Sequence, residues 1–222
     1  MGIGQGRSDG NTPVLEWQGD TPVAVAFGDP YFTRADGPAE TRHVFLGGND
    51  LPARLRAGFH VAELGFGTGL DAVVLDAAWQ GPGRIRMTSF EAFPMARDDM
   101  ARALTAHPGP AAEALLAAWP APRIALPHMD LEVVFGDARE SLPAWEGTAD
   151  AWFLDGFAPA RNPEMWGLDL MRAVADRTAP AGTFATYTAA GHVRRALAEA
   201  GFAVERVAGY GRKRHMTRGR LT

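Results

Sequence analysis

The sequence predicts an α/β domain, doubly wound around a mostly parallel sheet of seven strands and preceded by an N-terminal extension. Three observations predict it. Short apolar runs rich in β-formers alternate along the chain with Ala/Leu segments of helical spacing. Glycines at 65, 67 and 69 sit between an apolar run and a helical one, where a strand turns sharply into a helix. The length of 222 residues suits one sizeable core and is short for two.

In chain order, residues 1–12 are Gly-rich and polar and are expected to fray as a flexible N-terminus. Residues 13–222 then form one domain, of which 13–51 read as a hairpin-bearing extension or cap. The expected strands are His60–Leu64, Arg86–Glu91, Leu131–Phe135, Ala151–Asp155, Thr183–Tyr187, Ala203–Arg206 and Lys213–Thr217. Helical spacing marks Gly69–Trp79, Arg97–Ala106, Ala111–Trp119, Glu164–Arg177 and Ala190–Ala200. Pro180-Ala181-Gly182 punctuates the entry to one strand, and Gly201 sits where a left-handed helix cap belongs. In the last helix Val193, Leu197 and Ala200 share one face, which turns Arg194 and Arg195 elsewhere.

Composition excludes several classes. The chain has no cysteine, so disulfides, thiolate nucleophiles and cysteine metal sites are ruled out, and a reducing compartment is the simplest setting. The first residues lack the apolar core of a secretory signal, and no run approaches the roughly 20 apolar residues that span a bilayer. A cytoplasmic protein without membrane partners is expected. The net charge of −4 argues against coating nucleic acid by bulk electrostatics. From Gly191 onward, however, eight Lys/Arg face two Asp/Glu, a basic segment on an acidic body. Lys213 is the single lysine of the chain, and the Arg preference fits phosphate recognition or plain compositional bias.

The segment Glu63-Leu64-Gly65-Phe66-Gly67-Thr68-Gly69 places backbone N–H groups and a helix N-terminus against a ligand. A nicotinamide-binding loop wants a small residue at position 70, which here is Leu70. The glycine spacing, with Glu63 two residues before Gly65, instead resembles the first motif of class I methyltransferases. Their cofactor, S-adenosylmethionine, needs acids and no phosphate grip. Glu91 ends the second strand, where a carboxylate can accept both ribose hydroxyls. Gly136-Asp137-Ala138 follows the third, where Asp137 can receive an adenine amino group or cap a helix ahead of Glu140. Glu63, Gly65, Phe66, Gly67, Gly69, Glu91, Asp137, Ala138 and Asp155 are therefore the candidate cofactor residues.

The stretch from Ala151 to Trp166 carries the most specific signal. It runs apolar into Asp155 and breaks at Gly156 and Pro159, which delivers one carboxylate to the C-terminal edge of the sheet, where open α/β folds bind ligands. Phe157 and Pro159 form a rigid apolar wall there, similar in kind to the loop that flanks the attacking nitrogen in amino-group methyltransferases. Trp166 suits either base stacking or the core of the following helix.

The string Phe153-Leu154-Asp155-Gly156-Phe157-Ala158-Pro159, followed by Asn162-Pro163 and Met165-Trp166, resembles the methyltransferase family that completes the methylaminomethyl group of the tRNA wobble uridine. That family occurs as half of bifunctional MnmC and alone as MnmD. The likeness includes Asp29-Pro30-Tyr31-Phe32, the segments 40–49, 63–69 and 89–94, Thr186–Arg195 and Gly209–Met216. Two positions depart from it: Asp71 stands where Asn is common, and Pro30 where an aliphatic residue is usual.

The resemblance implies a Rossmann-like class I S-adenosylmethionine-dependent methyltransferase that acts on 5-aminomethyl-2-thiouridine in the tRNA anticodon stem-loop. Because the chain ends at Thr222, a stand-alone enzyme without the flavin-dependent oxidase domain is expected, with no flavin, no metal and a hand-off from the enzymes that make the aminomethyl group. Asp155 becomes the catalytic candidate. Tyr31, Phe32, Phe157 and Pro159 are candidates for the base. Arg161, Arg194, Arg195, Arg212, Lys213 and Arg214 are candidates for phosphate contacts. An aminopropyltransferase of the same fold, or a non-catalytic cofactor- or RNA-binding subunit, are the competing readings.

Overall fold

A computed structural model describes residues 12–33 and 36–222. The expected fraying of the N-terminus falls almost wholly outside these residues. Strands β1 (Leu15–Gln18), β2 (Thr21–Ala24) and β3 (Asp29–Pro30) form a small antiparallel sheet in the extension. Helix α1 (Gly37–Thr41) follows, capped by the Asp36 side chain at the Ala39 N–H, and runs into a π-helical turn over Arg42–Gly47.

The main unit then alternates strands and helices, as the sequence pattern requires. It comprises β4 (His60–Leu64), α2 (Leu70–Ala78), β5 (Ile85–Glu91), α3 (Arg97–Leu104), α4 (Pro110–Ala118), β6 (Arg123–Ala125), β7 (Met129–Phe135), α5 (Ala138–Ala144), β8 (Ala149–Leu154), α6 (Leu168–Asp176), β9 (Thr178–Thr186), α7 (Gly191–Glu199), β10 (Phe202–Ala208) and β11 (His215–Leu221). Their sheet has the order β10-β11-β9-β8-β4-β5-β7-β6. Strands β7, β5, β4, β8 and β9 pair in parallel, while β11 inserts antiparallel beside β9 and β6 pairs antiparallel on the far edge.

The doubly wound, mostly parallel sheet is the one expected, with eight strands in place of seven. The additional strand, β6, is only three residues long and carries a single buried side chain, Ile124, so it leaves no periodic signal. The expected helix Glu164–Arg177 is divided: a 3₁₀ turn spans Pro163–Trp166, and α6 starts only after Gly167, because Pro163 and Gly167 interrupt the ladder. The last strand begins at His215 and not at Lys213, since a turn closed by the Lys213 N–H on the Tyr210 carbonyl occupies the residues before it. Pro180, Ala181 and Gly182 lie inside β9, where the register against β8 shifts and Ala181 takes a φ of +59°.

Side chains alternate across the sheet. Val61, Ala151 and Phe153 enter one core with Leu75, Leu115 and Trp119 of the α2 and α4 region, whereas Ala62, Leu64, Trp152 and Leu154 enter the other with Leu142, Met171, Val174 and Leu197 of α5, α6 and α7. The extension joins the first core through Val44, Phe45, Leu46 and Leu51. Asn49, fully buried, fastens it: its amide donates to the Phe45 and Trp152 carbonyls and accepts from Thr183 Oγ1 at 2.6 Å. Glu63 has the parity of Val61, so its carboxyl faces the side that the extension covers.

Candidate active site

Strand order reverses between β4 and β8, and at this switch point an open α/β sheet parts to admit a ligand. A cavity of about 430 Å³ lies there, within the range of small-molecule sites. It is lined by the ends of β4, β5, β7 and β8 and roofed by the extension and the turn before β11.

The glycine loop forms one wall. Gly65, Gly67 and Gly69 have φ of +86°, +56° and +76°, a region that disfavours side chains. A Cβ on Gly65 would lie 3.3 Å from the Gly156 Cα, so this glycine also lets the loop approach the backbone just beyond Asp155. Glu91 is buried and braces the loop: its two oxygens accept the Gly67 N–H at 2.8 Å and the Phe93 N–H at 2.7 Å. Burial still pushes its carboxyl above the usual range.

Asp155 follows the buried end of β8 and is half-buried on the cavity floor. Burial raises its carboxyl well above the ordinary value, the charge of Asp71 adds to the rise, and Lys213 opposes it. The loop after it turns at Gly156 and is held by three hydrogen bonds. Gly156 takes a φ of +132°, Tyr187 donates its hydroxyl to the Gly156 carbonyl at 2.8 Å, Trp166 Nε1 donates to the Phe157 carbonyl at 3.0 Å, and Asp29 accepts the Ala158 N–H at 2.7 Å. Trp166 is thus core, 2% exposed. Phe27 stacks on Phe157 at 4.4 Å between centroids, Tyr31 meets Phe157 edge-on at 5.1 Å, and exposed Phe93 meets Phe27 at 5.9 Å, which gives the mouth an aromatic rim.

Of the residues proposed from sequence, Tyr31, Phe32, Glu63, Gly65, Phe66, Gly67, Glu91, Asp137, Ala138, Asp155, Phe157 and Lys213 line this cavity. Asp137 is engaged as the N-cap of α5 and in a forked ion pair with Arg139, and this pairing holds its carboxyl below the usual range. Gly69 lies behind the loop as the α2 cap, and Pro159 is buried outside the lining. Arg161, Arg194, Arg195, Arg212 and Arg214 stand outside the lining as well; Arg194 is half-buried with its Nε unpaired, and the others are exposed. Lys213 parts from its neighbours. Its ammonium pairs with the buried Glu40 carboxyl at 2.9 Å and lies 4.0 Å from the Tyr187 ring, inside the site.

Sequence reasoning did not single out Glu40, Thr41, Asp29, Phe27, Phe93 or Tyr187, although all line the cavity. Most of them lie in the extension, whose seating over the sheet depends on tertiary contacts such as those of Asn49. All of them but Phe27 stood inside segments that carried the family resemblance, and that was the available signal.

Eight carboxyls line the cavity against two cations, Arg139 and Lys213, and both cations are already paired with acids. Such a wall suits a positively charged nucleoside and repels a pyrophosphate. S-adenosylmethionine, with its sulfonium and ammonium, suits such a wall, and the sequence candidates for its contacts, Glu63, Gly65, Gly67 and Glu91, all line it.

Residues 109–222 match the family model described as S-adenosyl-L-methionine-dependent methyltransferase, and the chain belongs to that family. Its relatives narrow the class. The chain is 47% identical, over 93% of its length, to the tRNA 5-methylaminomethyl-2-thiouridine biosynthesis bifunctional protein MnmC of Caulobacter sp. (strain K31), and 45% identical over 94% to the protein of that name in Chromohalobacter salexigens. It spans 38% and 33% of those proteins. The crystal structure of MNMC2 from Aquifex aeolicus superimposes with a TM-score of 0.73 at 26% identity, covering 97% of this chain and 72% of that one. Among the described residues no helix is long and apolar enough to cross a membrane, and no group of His, Asp and Glu is arranged to hold a metal.

Proposed function

We propose that this chain methylates the primary amine of 5-aminomethyl-2-thiouridine at the tRNA wobble position, giving 5-methylaminomethyl-2-thiouridine. The observation that carries the reading is the placement of Asp155 on the floor of an acid-lined cavity, beside the glycine loop and under an aromatic rim. The named activity of the relatives supports the choice of substrate. The proposal concerns the methyl-transfer step, in the cytoplasm, on tRNA that already bears the aminomethyl group.

When bound, S-adenosylmethionine supplies a methyl group on a sulfonium, open to in-line displacement by a nitrogen lone pair. The residues of the chain prepare that lone pair. An alkylamine has a pKa of about 10, by analogy with lysine, so most of it is protonated in neutral water. A site that removes the amine from water favours its neutral form. Asp155 accepts an N–H of the amine and points the lone pair along the displacement axis; alignment of this kind supplies several kcal/mol, on the order of 7 or more in ideal cases. Lys213, 2.9 Å from Glu40 and acting electrostatically on Asp155, disfavours a second ammonium there. Tyr31, Phe32 and Phe157 hold the everted base and exclude water. Arg161, Arg194, Arg195, Arg212 and Arg214 lie outside the cavity, where a phosphate backbone can reach them.

Transfer of labelled methyl to tRNA bearing aminomethyl-uridine, beside tRNA lacking it, tests the proposal. Label should enter only the first. Equal labelling of both, or labelling of neither, overturns it.

A further inference from the structure

One pair of carboxyls in the cavity wall, Glu63 and Asp71, lies outside the displacement step itself. Asp71 projects from the first turn of α2 and Glu63 from β4, and the two carboxyls face each other within hydrogen-bonding reach. The donors to them are few. Thr41 Oγ1 donates to Asp71 Oδ1 at 2.6 Å, and Ser89 Oγ donates to Glu63 Oε2 at 2.5 Å. Asp71 Oδ2 is buried and receives no hydrogen bond, while the whole residue is only 8% exposed. Two ionised carboxylates so placed would combine like-charge repulsion with an orphaned buried oxygen, both costly. A single proton between them relieves both, because the protonated oxygen donates to the one facing it.

We infer that Glu63 and Asp71 share one proton while the cofactor site is empty, and that binding of the cationic cofactor releases that proton to solvent. The surroundings agree. Burial raises both carboxyls, Asp71 to about 6 and Glu63 well above its ordinary value. Glu40 on α1 faces Asp71, and Asp155 at the end of β8 faces Glu63, so the pair meets further negative charge from two more elements. Lys213 is committed to Glu40, and Arg139 to Asp137 and Glu164. A ligand with one net positive charge is therefore the natural partner for the second ionisation. Binding converts the singly protonated pair into two carboxylates and sends one proton to the buffer, so affinity rises with pH and levels off once the empty pair is ionised.

Calorimetric titration of S-adenosylmethionine, in two buffers of different ionisation enthalpy between about pH 5.5 and 8.5, counts the protons directly. The unsubstituted protein should release close to one proton at the acid end and gain up to about tenfold in affinity per pH unit there. Asp71→Asn keeps an acceptor for Thr41 and offers its amide to Glu63; proton release should vanish, and affinity should vary by no more than about twofold over the range. Thr41→Val removes the donor to Asp71 Oδ1 and should extend proton release to higher pH. Equal proton release in Asp71→Asn and the unsubstituted protein, no release by the latter, or an unmoved Thr41→Val profile would each overturn the inference. Absence of binding heat at every pH would remove the cofactor reading on which it rests. If Asp71→Asn does not fold by circular dichroism, the Thr41→Val profile decides.

Discussion

Glu91→Ala tests the cofactor wall through a residue that performs two tasks. Its carboxylate accepts the Gly67 and Phe93 N–H groups at 2.8 and 2.7 Å, and hydrogen bonds to a charged acceptor contribute roughly 1.5–3 kcal/mol each. Part of that gain is already spent on burying the carboxylate, whose proton affinity is raised, so a net loss of about 2 kcal/mol is expected on truncation. For a protein of this size the loss lowers Tm by about 4–8 °C. Cofactor binding is expected to suffer more, because the carboxylate proposed to accept from the ribose is lost and the Gly67 turn loses its brace; a loss of about 3 kcal/mol corresponds to a Kd more than 100-fold weaker. Glu91→Gln retains one acceptor oxygen and turns an amide toward the other N–H, so an intermediate loss is expected. Thermal melts with and without S-adenosylmethionine, together with calorimetric Kd values, make the comparison. A folded Glu91→Ala protein that binds the cofactor within twofold of the original would refute the assignment of this wall.

Three other outcomes follow from the same geometry. Asp155→Ala should cut methyl transfer by at least about 10²-fold in a radiolabel assay, through loss of alignment; near-normal turnover would remove Asp155 from the chemistry. Reversing Arg212 and Arg214 to Glu should weaken tRNA binding at low salt and flatten its salt dependence, with cofactor Kd unchanged; unaltered tRNA affinity would exclude that turn from the interface. His60 is buried, and burial lowers its imidazole from 6.5 to about 4. The unfolded chain then binds a proton that the folded one refuses, so the stability His60 contributes above pH 6.5 is lost as pH falls toward 4, by about 3 kcal/mol at most. His60→Gln should therefore show a smaller drop in Tm between pH 7.5 and pH 5 than the unsubstituted protein; equal drops would contradict this reading.

The sheet was legible because short apolar runs and helical patterns alternate from His60 onward, as strands buried on both faces require, and because strand ends coincide with glycine or acidic residues. Glu91 and Asp155 were legible for the same reason: each is an acid at the C-terminal end of a strand, Glu91 as the last residue of β5 and Asp155 directly after the apolar run 151–154. What escaped is set by contacts that no local pattern encodes. Lys213 read as one more cation in a basic run, yet the turn before β11 folds its ammonium inward onto Glu40 while Arg212 and Arg214 remain exposed. Asp71 read as a departure within the glycine segment, and only the packing of α1 against α2 shows that Thr41 grips it. The aromatic rim needs the extension to place Phe27 over Phe157 across 130 residues of chain, a proximity invisible to spacing.

The central claim is that this cavity presents an exocyclic amine of a wobble nucleoside to the methyl donor. Digestion of enzyme-treated tRNA to nucleosides and mass spectrometry tests it most directly. The claim predicts that the aminomethyl-thiouridine nucleoside is replaced by one a single methylene heavier, with the added carbon on the side-chain nitrogen. Methylation at a ring atom, at a ribose hydroxyl or at a nucleoside outside the wobble position would contradict it.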